Sequence, residues 1–383
     1  PQIFCRATRL TNNQSCRRLP KGTQTKTMDN YAQPSFASRF LEGIRAIQWP
    51  LAALVIILLF NFFFTPGFFE IEIKDGRLTG SLMDLLKRAS PRLIIALGMT
   101  LVIATEGIDI SVGSIAAIAG ALAVLTIRGG DITYLATQGT STVPLILIIV
   151  VALSAAALCG LFNGILIAIV KIQPIIATLI LMVAGRGLAM LFTGGYVLNY
   201  DHPTYESLGV GDWFGVPVPI FLAVGTFLLI WLVTTRTPLG LLIQSTGGNE
   251  TASRYSGTNT KVVKIIVYVM IGLCSGLAGI IFTADVQSAD AAFIGLWIEL
   301  EAILAVVIGG TAMTGGRYSL AGTVVGALII QTLITTLLTR AVPVQYTLIF
   351  QASVVVIVLI LQSSKVKELA FKRRARKEAQ SHA

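Results

Sequence analysis

Apolar segments of about twenty residues recur along nearly the whole chain, and that recurrence decides what it can fold into. Runs such as Ala52 to Phe64 and Val143 to Val170 are continuous rather than alternating. A bilayer core about 30 Å thick is crossed by roughly 20 apolar residues in a helix, because each backbone N–H and C=O must find its partner inside the spanning element. Transmembrane barrel strands would instead alternate over about ten residues. With 54% hydrophobic and 13% charged residues in 383, the lipid-embedded reading is the one the composition supports. The expected fold is an all-α polytopic transmembrane helical bundle.

Hydropathy and punctuation place spans at about 48 to 65, 91 to 106, 112 to 127, 144 to 170, 174 to 193, 217 to 235, 263 to 284, 297 to 312, 318 to 338 and 345 to 362, ten in all. Pro174 opens the fifth, as proline does at a first helical position. The loop after the first span is polar, with a short amphipathic stretch at Leu82 to Lys87. Residues 1–47 form a polar, basic segment expected to lack fixed structure, and 1–27, ahead of Met28, read as an extension. The transmembrane domain runs over 48–362 with a polar loop at about 236–262, and 363–383 is a basic tail.

Lys and Arg in short loops favour the cytoplasmic side. With the amino terminus inside, that side holds the eight basic residues before the first span, Lys171, Arg236, Arg254, Lys261, Lys264, Arg317 and seven in the tail. The other side holds Lys74, Arg77, Lys87, Arg88, Arg92, Arg128 and Arg340. Both termini are therefore expected in the cytoplasm. The same bias accounts for the net charge of +10, so the run Lys372 to Lys377 calls for no nucleic-acid partner. Four cysteines without paired spacing and two histidines give neither a disulfide framework nor a metal site.

Three places break the apolar pattern at a free-energy cost. In Ala104 to Gly113 two carboxylates, Glu106 and Asp109, stand with Ser111 and two glycines inside a hydrophobic stretch. A buried ionised carboxylate costs about 2.5 kcal/mol or more in lipid. This is either a discontinuous helix lining a pathway or a surface turn with Asp109 capping the third span. A second group is isolated within spans: Asn163 beside Gly160 and Gly164, Arg186 between Gly185 and Gly187, and Glu299 with Glu301 at a helix start. Asn163 suits close helix packing, Arg186 calls for a carboxylate or carbonyl partner, and the two glutamates are placed where a helix dipole favours them. The third place is Gly240 to Gly257, which reads as two short helices joined at Gly247-Gly248, the second capped by Asn249 and carrying Glu250 and Arg254. An offset of 203 residues also lays Leu97, Leu101, Glu106, Gly107 and Gly113 onto Leu300, Leu304, Gly309, Gly310 and Gly316, two helix–break–helix units.

Taken in order, Gly98 to Thr105, Gly107 to Gly113, Asn163-Gly164, Ala184 to Gly187, Gly247 to Asn249 and Leu300 to Arg317 resemble the monosaccharide branch of the ATP-binding cassette permeases over about residues 50 to 362. Within it the chain looks most like the ribose and galactofuranose permeases. The tracts Lys74 to Leu78 and Ala284 to Ala291 lean toward galactofuranose. One departure is Glu106, where the family usually has glycine.

The resemblance implies a bacterial inner-membrane transport subunit, not an enzyme. Its pathway would be shared with a second permease chain, identical or paralogous. Cytoplasmic ATPase subunits would dock on Gly240 to Gly257, and a periplasmic binding protein would deliver the sugar. ATP would bind the partner subunit, since this chain has no Gly-Lys pair for a phosphate loop and binds no cofactor of its own. The rival reading is an ion-coupled secondary transporter with Glu106 and Asp109 carrying the ion.

Overall fold

The computed structural model describes residues 36–340, apart from 66, 71, 75, 76, 131 and 133–142, together with isolated positions between 343 and 353. The expected extension at 1–27, the tenth span at 345–362 and the basic tail lie outside the described residues or nearly so. The chain divides into units Pro1–Gly43 and Ile44–Ala383. In the first, the described residues are the opening turns of a helix; the second holds everything discussed below.

The helices are α1 (Phe36–Phe64), α2 (Ser81–Ala104), α3 (Val112–Ile127), α4 (Leu145–Ala168), α5 (Pro174–Phe192), α6 (Pro203–Glu206), α7 (Val218–Arg236), α8 (Leu239–Gly248), α9 (Glu250–Tyr255), α10 (Thr260–Val286), α11 (Ile298–Ile308) and α12 (Leu320–Thr339). Five of them, α4, α5, α7, α10 and α12, are long and apolar enough to cross a membrane. The chain is thus a multi-pass helical membrane protein. Three short antiparallel ribbons sit in its loops: β1 (Glu72–Lys74) with β2 (Arg77–Thr79), β3 (Leu198–Asn199) with β6 (Ser288–Ala289), and β4 (Asp212–Trp213) with β5 (Val216–Pro217). Their pairing was not visible as alternation because most strands are only two residues long.

The expected spans and the helices agree closely from α3 to α12. Two starts differ. α1 begins at Phe36 rather than near residue 48, and α2 begins at Ser81 rather than near 91. The amphipathic stretch at Leu82 to Lys87 is the first part of α2, which runs through Pro91 without ending. Its three cations, Lys87, Arg88 and Arg92, hide a helix whose other end, Ile94 to Ala104, is fully buried.

α2, α3 and α10 form the centre. α10 is buried along most of its length, whereas α4, α5 and α7 turn most of their apolar surface outward, as in Ile146, Leu158, Val183 and Leu229. Where the solvent is lipid, such exposure costs nothing, and the bundle holds by close packing of small residues. α4 shows this: a side chain at Gly160 would overlap the Tyr268 carbonyl of α10, and one at Gly164 would press on Ile265. α10 answers with Gly272 and Gly276 against Ala156.

Candidate functional site

α2 ends in a Schellman turn. Gly107 N–H donates to the Val102 carbonyl (3.0 Å) and Glu106 N–H to that of Ile103 (3.0 Å), with Glu106 in the left-handed region at φ 64°. That slot favours glycine, which lacks the Cβ that crowds this conformation. The departure at Glu106 thus has a backbone consequence, while its side chain is exposed. α11 ends in the same way: Thr311 N–H donates to Val306 (3.2 Å), Gly310 N–H to Val307 (3.0 Å), and Gly310 has φ 89°. Glu106 therefore corresponds to Gly310, one residue beyond the sequence offset that paired it with Gly309.

After the turn the chain dives inward. Asp109 is fully buried, and its Oδ1 accepts from Ser111 N–H (2.8 Å) and Ser111 Oγ–H (2.6 Å). Ser111, not Asp109, holds the cap position of α3; the carboxylate closes a turn two residues ahead of it. Asn163 Nδ2 of α4 donates to Ser111 Oγ at 2.8 Å, so the amide serves the break while the flanking glycines pack against α10. Asp109 Oδ2 and Asn163 Oδ1 are buried without a hydrogen-bond partner among the described residues. A buried acceptor left so costs about 1–3 kcal/mol, which marks the spot as built for something besides packing.

Arg186 and Glu299 form a separate cluster. Arg186 Nη1 donates to the carbonyls of Ile294 (2.6 Å) and Ala291 (3.1 Å), satisfying the expected need for carbonyl partners. A side chain at Gly113 would meet the Gly295 carbonyl, Glu299 Oε2 at 2.7 Å and Arg186 Nη2 at 3.4 Å, so the first turn of α3 lies against both charges. Glu299 Oε2 is buried and unpartnered among the described residues. The six pathway candidates fall into two groups and one separate residue. Asp109, Ser111 and Asn163 gather at the break, Arg186 and Glu299 face α3 farther along, and Glu106 stands outside both.

The polar hairpin forms α8 and α9. Gly247 is tightly enclosed: a Cβ there would strike the Ala104 carbonyl and lie 2.7 Å from Gly316 N, while one at Gly248 meets nothing within 4 Å. Gly316 N–H itself donates to the Ala104 carbonyl at 2.9 Å. The end of α8, the end of α2 and the break before α12 thus meet at one junction. Asn249 Oδ1 caps α9 through Ala252 N–H (2.9 Å), and Gly257 turns the chain out at φ 90°.

Glu250 is turned inward. It takes Lys264 Nζ of α10 at 2.7 Å, Thr260 Oγ1 at 3.2 Å and Arg254 at 3.4 Å. The bond from Lys264 holds its carboxyl below the ordinary value of 4.5. What α9 presents outward is Thr251, Ala252, Arg254 and the 89% exposed Tyr255.

Several contributors have no sequence signal of their own. Thr178 Oγ1 of α5 accepts from Ile110 N–H (3.2 Å), Tyr268 of α10 reaches toward the Ile108 carbonyl, and Arg92 pairs with Glu301 at 2.6 Å across 209 positions. Lys264 and Glu250 lie 14 apart, beyond helical spacing.

Residues 81–359 match the family described as the branched-chain amino acid transport system / permease component. The chain is 46% identical to the galactofuranose transporter permease protein of Escherichia coli (strain K12) over 327 residues, 84% of this chain and 92% of that one. It is 36% identical to the ribose import permease protein of the same strain over 83% and 94%, and 35% identical to the fructose import permease protein of Bifidobacterium longum (strain NCC 2705) over 88% and 94%. No solved structure matches the chain. With more than half of its length matched by the family model, this chain belongs to the permease components of the branched-chain amino acid transport system family.

Proposed function

We propose that this chain is the membrane-spanning permease subunit of an ATP-driven importer of a monosaccharide, galactofuranose in the first place and ribose in the second. The family's description names amino acids, but relatives matched over nearly their whole length carry sugar names. The 46% identity to the galactofuranose protein, against 36% for the ribose protein, favours the former. An ion-coupled carrier has no such support, and Glu106, one of its two ion carriers, is an exposed helix-end residue.

One observation carries the mechanism: Gly247 of the hairpin is wedged between the ends of two interrupted helices. In this reading cytoplasmic ATPase subunits dock on the outward face of α8 and α9. Their closure on ATP moves the hairpin, and the junction at Ala104 and Gly316 passes that motion to the breaks. A ligand shifts a conformational equilibrium only through contacts that differ between the states, and a three-way backbone contact of this kind supplies them. Asp109, Ser111 and Asn163, with Arg186 and Glu299, would line the pathway. A second permease chain and a periplasmic binding protein complete the complex in the bacterial inner membrane.

The topology that fits has ten spans over 48–362, both termini and residues 236–262 in the cytoplasm, and 1–47 and 363–383 as basic cytoplasmic segments. A cysteine at Thr251 labelled by an impermeant reagent in intact cells would refute it. Uptake of labelled D-galactose and D-ribose, with the cognate ATPase and binding protein present and absent, tests the function. Sugar uptake that needs both partners is expected; uptake driven by a sodium or proton gradient without them would overturn the reading.

A further inference from the structure

The end of the bundle remote from the hairpin holds a feature that the pathway residues leave unused. α2 starts there and α10 ends there, and two ion pairs tie the start of α2 to its neighbours, Lys87 to Asp285 of α10 at 2.5 Å and Arg92 to Glu301 of α11 at 2.6 Å. Beside the second pair lies a cleft of about 350 Å³ bordered by Arg92, Glu301, Ser288, Asp290, Phe282 and Phe293. Ligand sites for small molecules are concave and largely apolar with a few converging polar groups, and this one has a cation, two carboxylates, a hydroxyl and two aromatic rings.

The polar groups are held in place rather than loose. Arg92 spends Nε on Glu301 and Nη1 on the Arg88 carbonyl (2.9 Å), and a guanidinium has five N–H donors in all. Asp290 Oδ1 fixes the turn by accepting from Ala292 N–H at 3.0 Å, and Ser288 is held in the β3–β6 ribbon. Phe293 is 70% exposed beside them. The turn from Asp290 to Trp297 is also a partition. Its Ala291 and Ile294 carbonyls hold Arg186 on one side, while Phe293, Ile294 and Gly295 border the cleft on the other.

We infer that this cleft is a sugar-recognition subsite, in which Arg92, Glu301 and Asp290 bind vicinal hydroxyls and Phe293 packs on the apolar face of the ring. Carboxylates accept and guanidinium donates in charge-assisted bonds, the stronger kind, which suits a ligand whose hydroxyls do both. A phosphate would be repelled by the two carboxylates, and an apolar ligand would leave the ion pair buried without return. The subsite rests on the sugar-importer reading. Under the proposed topology it opens toward the binding protein, one turn of chain away from Arg186 and Glu299.

The test is uptake of labelled D-galactose and D-ribose by cells carrying the whole importer, with Glu301→Gln, Glu301→Asp, Asp290→Asn and Phe293→Ala. The same binding protein delivers sugar to every variant, so its selectivity cancels when each galactose-to-ribose ratio is divided by the wild-type ratio. A site that bonds a particular hydroxyl discriminates by large factors, so a shift of about tenfold or more is expected for Glu301→Gln and for Phe293→Ala, with partial recovery in Glu301→Asp. If Arg92 and Glu301 merely clamp two helices, both sugars fall together, the ratio stays at the wild-type value and Phe293→Ala is silent; that result overturns the subsite. Should Glu301→Gln fail to insert, Phe293→Ala at its exposed position decides alone. A wild-type importer that moves neither sugar would instead refute the galactose-or-ribose assignment on which the subsite rests, a failure distinct from an unchanged ratio.

Discussion

Glu106 and Gly310 hold the same position in two helix ends, each the left-handed residue of a Schellman turn, and only one of them is glycine. The break that follows the second turn reaches back to the first, since Gly315 is within reach of the Glu106 backbone and Gly316 bonds to the Ala104 carbonyl. Glu106→Gly should therefore raise stability by about 1 kcal/mol, the cost of placing a side chain in that region. Thermal unfolding of the purified protein in detergent checks this. Because the Glu106 side chain is exposed, uptake should survive the change; its loss would give the carboxylate a role in transport.

Gly247 and Gly248 are adjacent yet should respond in opposite ways. Gly247→Ala forces its methyl against the Ala104 carbonyl and Gly316 N, so the hairpin must shift from the junction. Sugar-stimulated ATP hydrolysis should fall by about tenfold or more, since overpacking of this kind costs about 1–3 kcal/mol. Gly248→Ala meets open space and should leave hydrolysis near normal. Equal effects of the two changes would remove the junction from the coupling mechanism.

Ser111 is the link between Asp109 and Asn163. Ser111→Ala strips the buried Asp109 of its 2.6 Å hydroxyl donor and leaves the Asn163 amide without its acceptor. A loss of about 2–4 kcal/mol is expected, two unmade buried bonds at about 1–2 kcal/mol each. Unfolding of wild type and variant under the same detergent conditions measures it. Asn163→Ala combined with Ser111→Ala should cost less than the sum of the single changes, because the two share one bond.

The bracket from Glu250 to Lys264 sets a pH dependence for the hairpin. The folded carboxyl lies below its ordinary value of 4.5, so the bracket is at full strength above that value. It weakens as the pH falls below 4.5 and on through the lower folded value, when the carboxylate takes up its proton. A spin label at Thr251 should report a fixed hairpin across the neutral range and growing mobility only in that acid window. In Glu250→Gln the mobility should already be high at neutral pH. Mobility that rises between pH 6 and 8 would assign the anchor to another group.

Helices α3, α4, α5 and α7 were legible to within a residue or two because each is a largely apolar run, interrupted only by isolated polar residues such as Asn163 or Arg186, bounded by proline or by polar residues. The start of α2 was not, since Lys87, Arg88, Pro91 and Arg92 look like loop chemistry in sequence, and the partners of Lys87 and Arg92, Asp285 and Glu301, lie about two hundred positions away. In the candidate site the grouping of Asp109 with Ser111 was local and visible. Its joining to Asn163 was not, because a lone amide in an apolar helix gives no direction. The unequal standing of Gly247 and Gly248 is likewise a fact of packing: neither residue carries a side chain, and what separates them is the backbone of two other segments.

The junction of Ala104, Gly247 and Gly316 also bears on how the molecule is made. Its three strands of backbone come from the first, middle and last thirds of the sequence, so it can close only after Gly316, just ahead of α12, has left the ribosome. Chains are synthesised from the amino terminus and their early helices enter the bilayer first. A truncated or stalled product would then hold α8 and α9 without the seat that orients them. On the proposed reading, the ATPase docking face would come into register only once Gly316 is in place, and a permease cut short before it would be passed over by its motor.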